Sequence, residues 1–103
     1  MIRIVAIYTN TAHSRFDGAY YTGRHTALAR ELLEPHGLLG ISSTLGVAAL
    51  DDAPPPFWAI SEMQFPSREA FDAAMAVCGD ALFADLPNYT DTAPVLQVCN
   101  TSA

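Results

Sequence analysis

The order of apolar runs and capped helical segments predicts an α+β fold, β-α-β-β-α-β, for this chain of 103 residues. Three observations carry the prediction. The opening run "IRIVAIYT" at 2–9 is β-branched and aromatic. Two segments, near 17–34 and 67–79, repeat apolar residues at helical spacing between a cap and a stop signal. Three further apolar runs, at 38–47, 57–65 and 93–99, are bounded by Gly, Pro, Asp and Asn.

Both alternating sets of the first strand, Ile2-Ile4-Ala6-Tyr8 and Val5-Ile7, are largely apolar, which implies burial on both faces. "NTAHSR" is a polar connection. Asp17 is a fair N-cap for a helix reaching about Glu34, where "PHG" ends it. Inside that helix Tyr21, His25, Leu28 and Leu32 share one stripe, so His25 is expected to point inward with the leucines. "LLGISSTLGV" alternates through Leu39, Ile41, Ser43, Leu45 and Val47 as the second strand. "AALDDAPPP" is a rigid loop, since its prolines exclude ladder structure.

"FWAISEMQF" places Phe57, Ala59, Met63 and Phe65 on one side of the third strand. Trp58, Ile60, Glu62 and Gln64 take the other side. Ser67 caps a second helix with Phe71, Ala74, Met75 and Cys78 on its buried stripe and Gly79 as its stop. "DALFADLPNYTDT" reads as a short helical turn broken by Pro87, then irregular chain, and "APVLQVC" is the last strand.

This order is the ferredoxin-like, split β-α-β arrangement over residues 1–103, a single domain by length. Two helices cover one face of its four-stranded antiparallel sheet. The other face should then be polar, yet the strands are apolar on both sides. A second copy of the same sheet is the simplest cover, which makes the expected assembly a homodimer through sheet faces, a dimeric α/β barrel.

Charged residues make up 16%, against a globular average of about 25%, which fits a surface that buries apolar patches against a partner. The net charge is −6 with five Lys and Arg, too few for the basic stripe that nucleic acid or an anionic membrane demands. No run approaches the roughly 18 apolar residues of a membrane span, and no secretory pattern opens the chain, so the expected location is cytoplasmic. Cys78 and Cys99 are then expected as buried free thiols. His13, His25 and His36 lack metal-ligand spacing, so no metal site is expected.

Three stretches resemble the EthD family of dimeric α/β-barrel proteins, named for ethyl tert-butyl ether degradation. They are "RFDGAYYTGRH" at 15–25, "PPPFWAI" at 54–60 and "LPNYTDTAPVLQV" at 86–98, so the resemblance spans essentially the whole chain. It implies a fold shared with cofactor-free monooxygenases and cyclases, lactone isomerases and haem proteins. The fold by itself assigns no reaction.

His25 is the first candidate. A core histidine bonded to a tyrosine hydroxyl explains it as packing, while a neutral imidazole in an apolar cleft is a usable general base. Its match to the family's histidine favours the second reading. Tyr21 shares its stripe and Tyr8 reaches the same cleft from the sheet, so His25, Tyr21 and Tyr8 form the candidate catalytic set. Tyr20, turned by 100° from Tyr21, is expected at the helix edge or the dimer contact. Trp58, Arg24, Phe16 and Tyr89 are candidate substrate contacts: Trp58 as a stacking platform, Arg24 as a partner for a carboxylate or enolate. Asn88 and Asp91 are explained by turn-making.

The expected function is binding of a small apolar or aromatic substrate between helices and sheet. With no G-x-G-x-x-G and no Walker sequence, a reaction there would need no cofactor. Candidates are monooxygenase-like oxidation, isomerisation or dehydration. The rivals are a non-catalytic binding or accessory protein for an oxygenase system and a purely structural dimeric module.

Overall fold

A computed structural model describes residues 1–100. Strand β1 (Ile2–Thr9) is followed by a helical region, α1 (residues 18–33), and then by β2 (Gly40–Leu45) and β3 (Phe57–Phe65). Helix α2 (Arg68–Ala84) and strand β4 (Val95–Asn100) complete the fold. The sheet runs β2-β3-β1-β4 with every neighbouring pair antiparallel, the ferredoxin-like topology. Among the described residues no helix is long and apolar enough to cross a membrane.

The caps fall where the side chains demand. Asp17 accepts from the Tyr20 amide and Ser67 from the Ala70 amide, each satisfying an orphan N–H at a helix start. Gly37, at φ 105°, closes the turn after α1 in a left-handed conformation that costs glycine nothing. Gly46 ends β2: its amide bonds the Trp58 carbonyl, and a Cβ there would run into the carbonyl oxygen of Phe57. The strand therefore stops before Val47, which is fully exposed instead of continuing the ladder.

Two other expectations are corrected. Gly79 does not stop α2; it is buried inside the helix, which continues to Ala84 and ends at Asp85, ahead of Pro87. A single glycine costs a helix about 1 kcal/mol, which burial of Ala74, Cys78 and Leu82 on the same face offsets. In β3, a register shift opposite Tyr8 and Thr9 pairs Thr9 with Phe57 and skips Trp58. The bulge turns the indole toward the helices, where it stacks on Phe16 with ring centroids 6.3 Å apart.

Two clusters form between helices and sheet. One is aliphatic and centres on Ile4, Leu33 and Phe65; Cys78 belongs to it and donates its thiol to the Leu32 carbonyl. Cys99, expected to be buried, is only half-buried on β4. The second cluster, at the far end of β1, is aromatic: Tyr8, Tyr21 and Tyr89 are buried, with Phe16, Tyr20 and Trp58 packed on them. On the opposite sheet face Ile60, Ile7 and Val95 stand side by side across β3, β1 and β4. Ile60 is 37% and Val95 59% exposed.

Candidate active site

The aromatic cluster is assembled by three segments. Tyr8 comes from the end of β1, and Tyr21 from a π-helical turn, Tyr21–His25, inserted into α1. Such single π turns are rare and recur at functional sites, because they rotate side chains off the regular helical stripe. Here the turn sets the Tyr21 and His25 rings in a stacked pair, centroids 5.4 Å apart. Tyr89 follows a 3-10 turn, Leu86–Asn88, and is pinned through its backbone: its carbonyl accepts from the Asp17 amide at 2.7 Å. Thr90 and Asp91 hold the same segment against Arg15: the Thr90 hydroxyl donates to the Arg15 carbonyl and the Asp91 carboxylate accepts from the Arg15 amide.

These segments frame a cleft of about 660 Å³, counting its open mouth. Most of its wall is apolar, including Ile4, Ile41, Met63, Phe71 and Met75. The exposed side chains of Phe83 and Leu96 stand at the rim, between the end of α2 and strand β4. The polar groups gather at one end: His25, Tyr8, Tyr21, Tyr89, Ser43 and Ser61.

Asp85 orders that end. Its carboxylate accepts from His25 Nδ1 at 2.9 Å, from the Tyr20 hydroxyl at 2.6 Å and from the Asn88 side-chain amide at 2.8 Å. Burial alone would raise its pKa, but the hydrogen bonds from Tyr20, Asn88 and His25 outweigh that and hold it below the ordinary carboxylate value. With the ring in its neutral form, an ionised Asp85 holds the His25 proton on Nδ1 and leaves Nε2 as an acceptor. Tyr89 then donates toward Nε2 at 3.4 Å, so its oxygen accepts from Tyr8, 2.8 Å away. Tyr21 bonds Ser61, and Ser61 meets Ser43 at 3.2 Å.

Burial raises the pKa values of Tyr8, Tyr21 and Tyr89, so all three remain protonated hydrogen-bond donors at neutral pH. The result is a row of neutral hydroxyls ending on a carboxylate-backed imidazole.

Of the residues singled out from sequence, His25, Tyr21, Tyr8 and Tyr89 border the cleft together. Phe16 and Trp58 do not. Phe16 packs behind Tyr8, Tyr21 and Tyr89, and Trp58 packs on Phe16 while donating to Ser14 at 2.9 Å. Arg24 is exposed and stands away from the cleft wall. Tyr20, expected at the helix edge or the dimer contact, stacks on Tyr89 and bonds Asp85. Sequence reasoning missed Asp85 and the serine pair. Asp85 caps the C-terminus of α2 only because the helix runs on past Gly79, so a reading that stops the helix at Gly79 gives no signal for it.

Residues 11–93 match the EthD domain. The chain is similar to the crystal structure of an EthD-like protein from Ralstonia eutropha JMP134. The two are 35% identical over 99% of this chain and 92% of that one, with a TM-score of 0.90. An ethyl tert-butyl ether degradation (EthD) family protein from Bacillus halodurans C-125 is 21% identical over 99% of each chain, TM-score 0.77. A structure described as an antibiotic biosynthesis monooxygenase is 16% identical over the full length of both chains, TM-score 0.55. The last two likenesses concern the fold alone. No curated protein matches the chain.

Proposed function

The chain belongs to the EthD family, and on that premise we propose that its cleft binds a small apolar or aromatic molecule and removes a proton from it. The observation that carries this reading is the Asp85–His25 pair at the cleft wall, beside the tyrosine hydroxyls. His25 is the base: Nε2 takes the proton, the ligand keeps the electron pair, and Asp85 stabilises the imidazolium.

Protonation then reverses the hydrogen-bond row. Nε2–H donates to the Tyr89 oxygen, Tyr89 donates to Tyr8, and the Tyr8 proton is freed for the new oxyanion. Tyr21, buried and protonated, is a second donor beside it. The electron-rich anion so formed is the starting point of cofactor-independent oxidation by oxygen, the monooxygenase-like reaction we favour. Isomerisation and dehydration begin with the same step. A carrier or accessory role has one observation behind it: the hydroxyls are already satisfied by one another without a ligand.

Titration of the isotope-labelled protein with 2-tetralone, an uncharged aromatic ketone, tests the reading. Shifts confined to the methyls of Met63, Met75 and Ile41 are expected, with deuterium entering the ketone's α position in heavy water. Binding without exchange would favour the carrier, and no binding at all would remove the cleft as a site.

The same reading includes a homodimer formed through the face that carries Ile7, Ile60 and Val95, and a cytoplasmic setting suited to two free thiols. Sedimentation at low micromolar concentration should show a dimer, and Ile7→Lys should return it to monomer. A wild-type monomer under those conditions would contradict the barrel.

A further inference from the structure

We infer that the cleft is selective for uncharged ligands, such as ketones, lactones, enols and phenols, and excludes carboxylates and phosphates of the same shape. This rests on reading the cleft as a small-molecule site. An anion leaving water for an apolar cleft must find a cation or several committed donors. The chain has no lysine, and all five arginines lie elsewhere.

Arg3 pairs with Glu62 at 2.9 Å on the sheet face away from the helices. Arg15 donates to the Pro87 carbonyl at 2.8 Å, and Arg68 pairs with Asp72 at 3.0 Å along α2. Arg24 and Arg30 are exposed on α1. None of them lines the cleft.

The charge nearest the cleft is negative and lies one residue behind its wall. Asp85 lies directly behind His25, and its carboxylate repels a second anion across a low-dielectric gap. The hydroxyls do not compensate, because in the resting site Tyr89 donates toward His25, Tyr8 donates to Tyr89, and Tyr21 bonds Ser61. A single carbonyl or hydroxyl on a neutral ring makes no such demand; one donor or acceptor from this row satisfies it. A wall without cations, backed by one carboxylate, thus sorts ligands by charge as well as by shape.

The test is a matched pair of probes, 2-acetylnaphthalene and 2-naphthoate, which differ in little but charge. Each is titrated into the full chain at mildly alkaline pH and followed on the Met63 and Met75 methyls. The ketone is expected to bind at least about 100-fold more tightly, and Asp85→Asn is expected to narrow that ratio several-fold. Equal affinity at these methyls would overturn the charge selectivity while leaving the small-molecule reading standing. A ratio untouched by Asp85→Asn would overturn the role given to the carboxylate. If neither probe moves the methyls, both readings fall.

Discussion

Tyr89→Ala is expected to cost about 3–5 kcal/mol and to lower the melting temperature by roughly 15–25 °C. Tyr89 is fully buried and touches rings on every side: Tyr8, Phe16, Tyr20, Tyr21 and His25 all lie within 6.0 Å of its centroid. Truncation leaves a cavity at the junction of β1, α1 and the 86–92 segment, where this ring packs against side chains of both β1 and α1. It also removes the hydroxyl that pairs with Tyr8, 2.8 Å away.

Tyr89→Phe separates the two terms. It keeps the packing and loses only the hydrogen bonds, for which about 1–2 kcal/mol is expected. Thermal melts of both variants decide the matter. A Tyr89→Ala protein that melts within a few degrees of wild type would mean that the aromatic cluster is not what fixes this end of the molecule.

The fold was legible because its elements follow local rules. Asp17 and Ser67 cap where capping residues should, and the apolar periods of 2–9 and 57–65 find strands of those same lengths. What escaped are features decided by hydrogen-bond registration. The π turn at Tyr21–His25 uses residues that fit a regular helix equally well, so no composition announces it. The bulge that swings Trp58 onto Phe16 depends on how β1 and β3 are paired beyond Tyr8, which neither strand states alone. Gly79 was overruled by tertiary packing, since its propensity is a weak term beside a buried helix face.

The site was legible in part for a related reason. Helical period placed Tyr21 and His25 on one inner face, and the position of Tyr8 at the end of the first strand put it within reach of the same cleft; these are one-element arguments. Asp85 joins His25 across 60 residues, and Ser61 joins Tyr21 across 40, so their pairing exists only once the helices lie on the sheet. Arg24 shows the converse. As the immediate neighbour of His25 it looked like a site residue, yet consecutive helical positions diverge, and it faces solvent.

His25→Ala is expected to leave stability nearly intact and to abolish chemistry. The imidazole is partly exposed at the cleft wall, so its removal enlarges an existing space instead of creating a closed void. Asp85 loses one donor and retains two, the Tyr20 hydroxyl and the Asn88 amide, so the carboxylate is not left orphaned. A cost of about 1 kcal/mol follows, roughly 4–8 °C in melting temperature. Deuterium entry into 2-tetralone should meanwhile fall by about 10²–10⁴-fold, the usual worth of a positioned base.

Asp85→Asn should fall between the two proteins. The amide can still accept from Nδ1, but it brings no charge to steady the imidazolium. The opposite pattern would assign His25 to the core: a melting temperature lowered by roughly 15 °C or more, with exchange unaffected in the protein that remains folded.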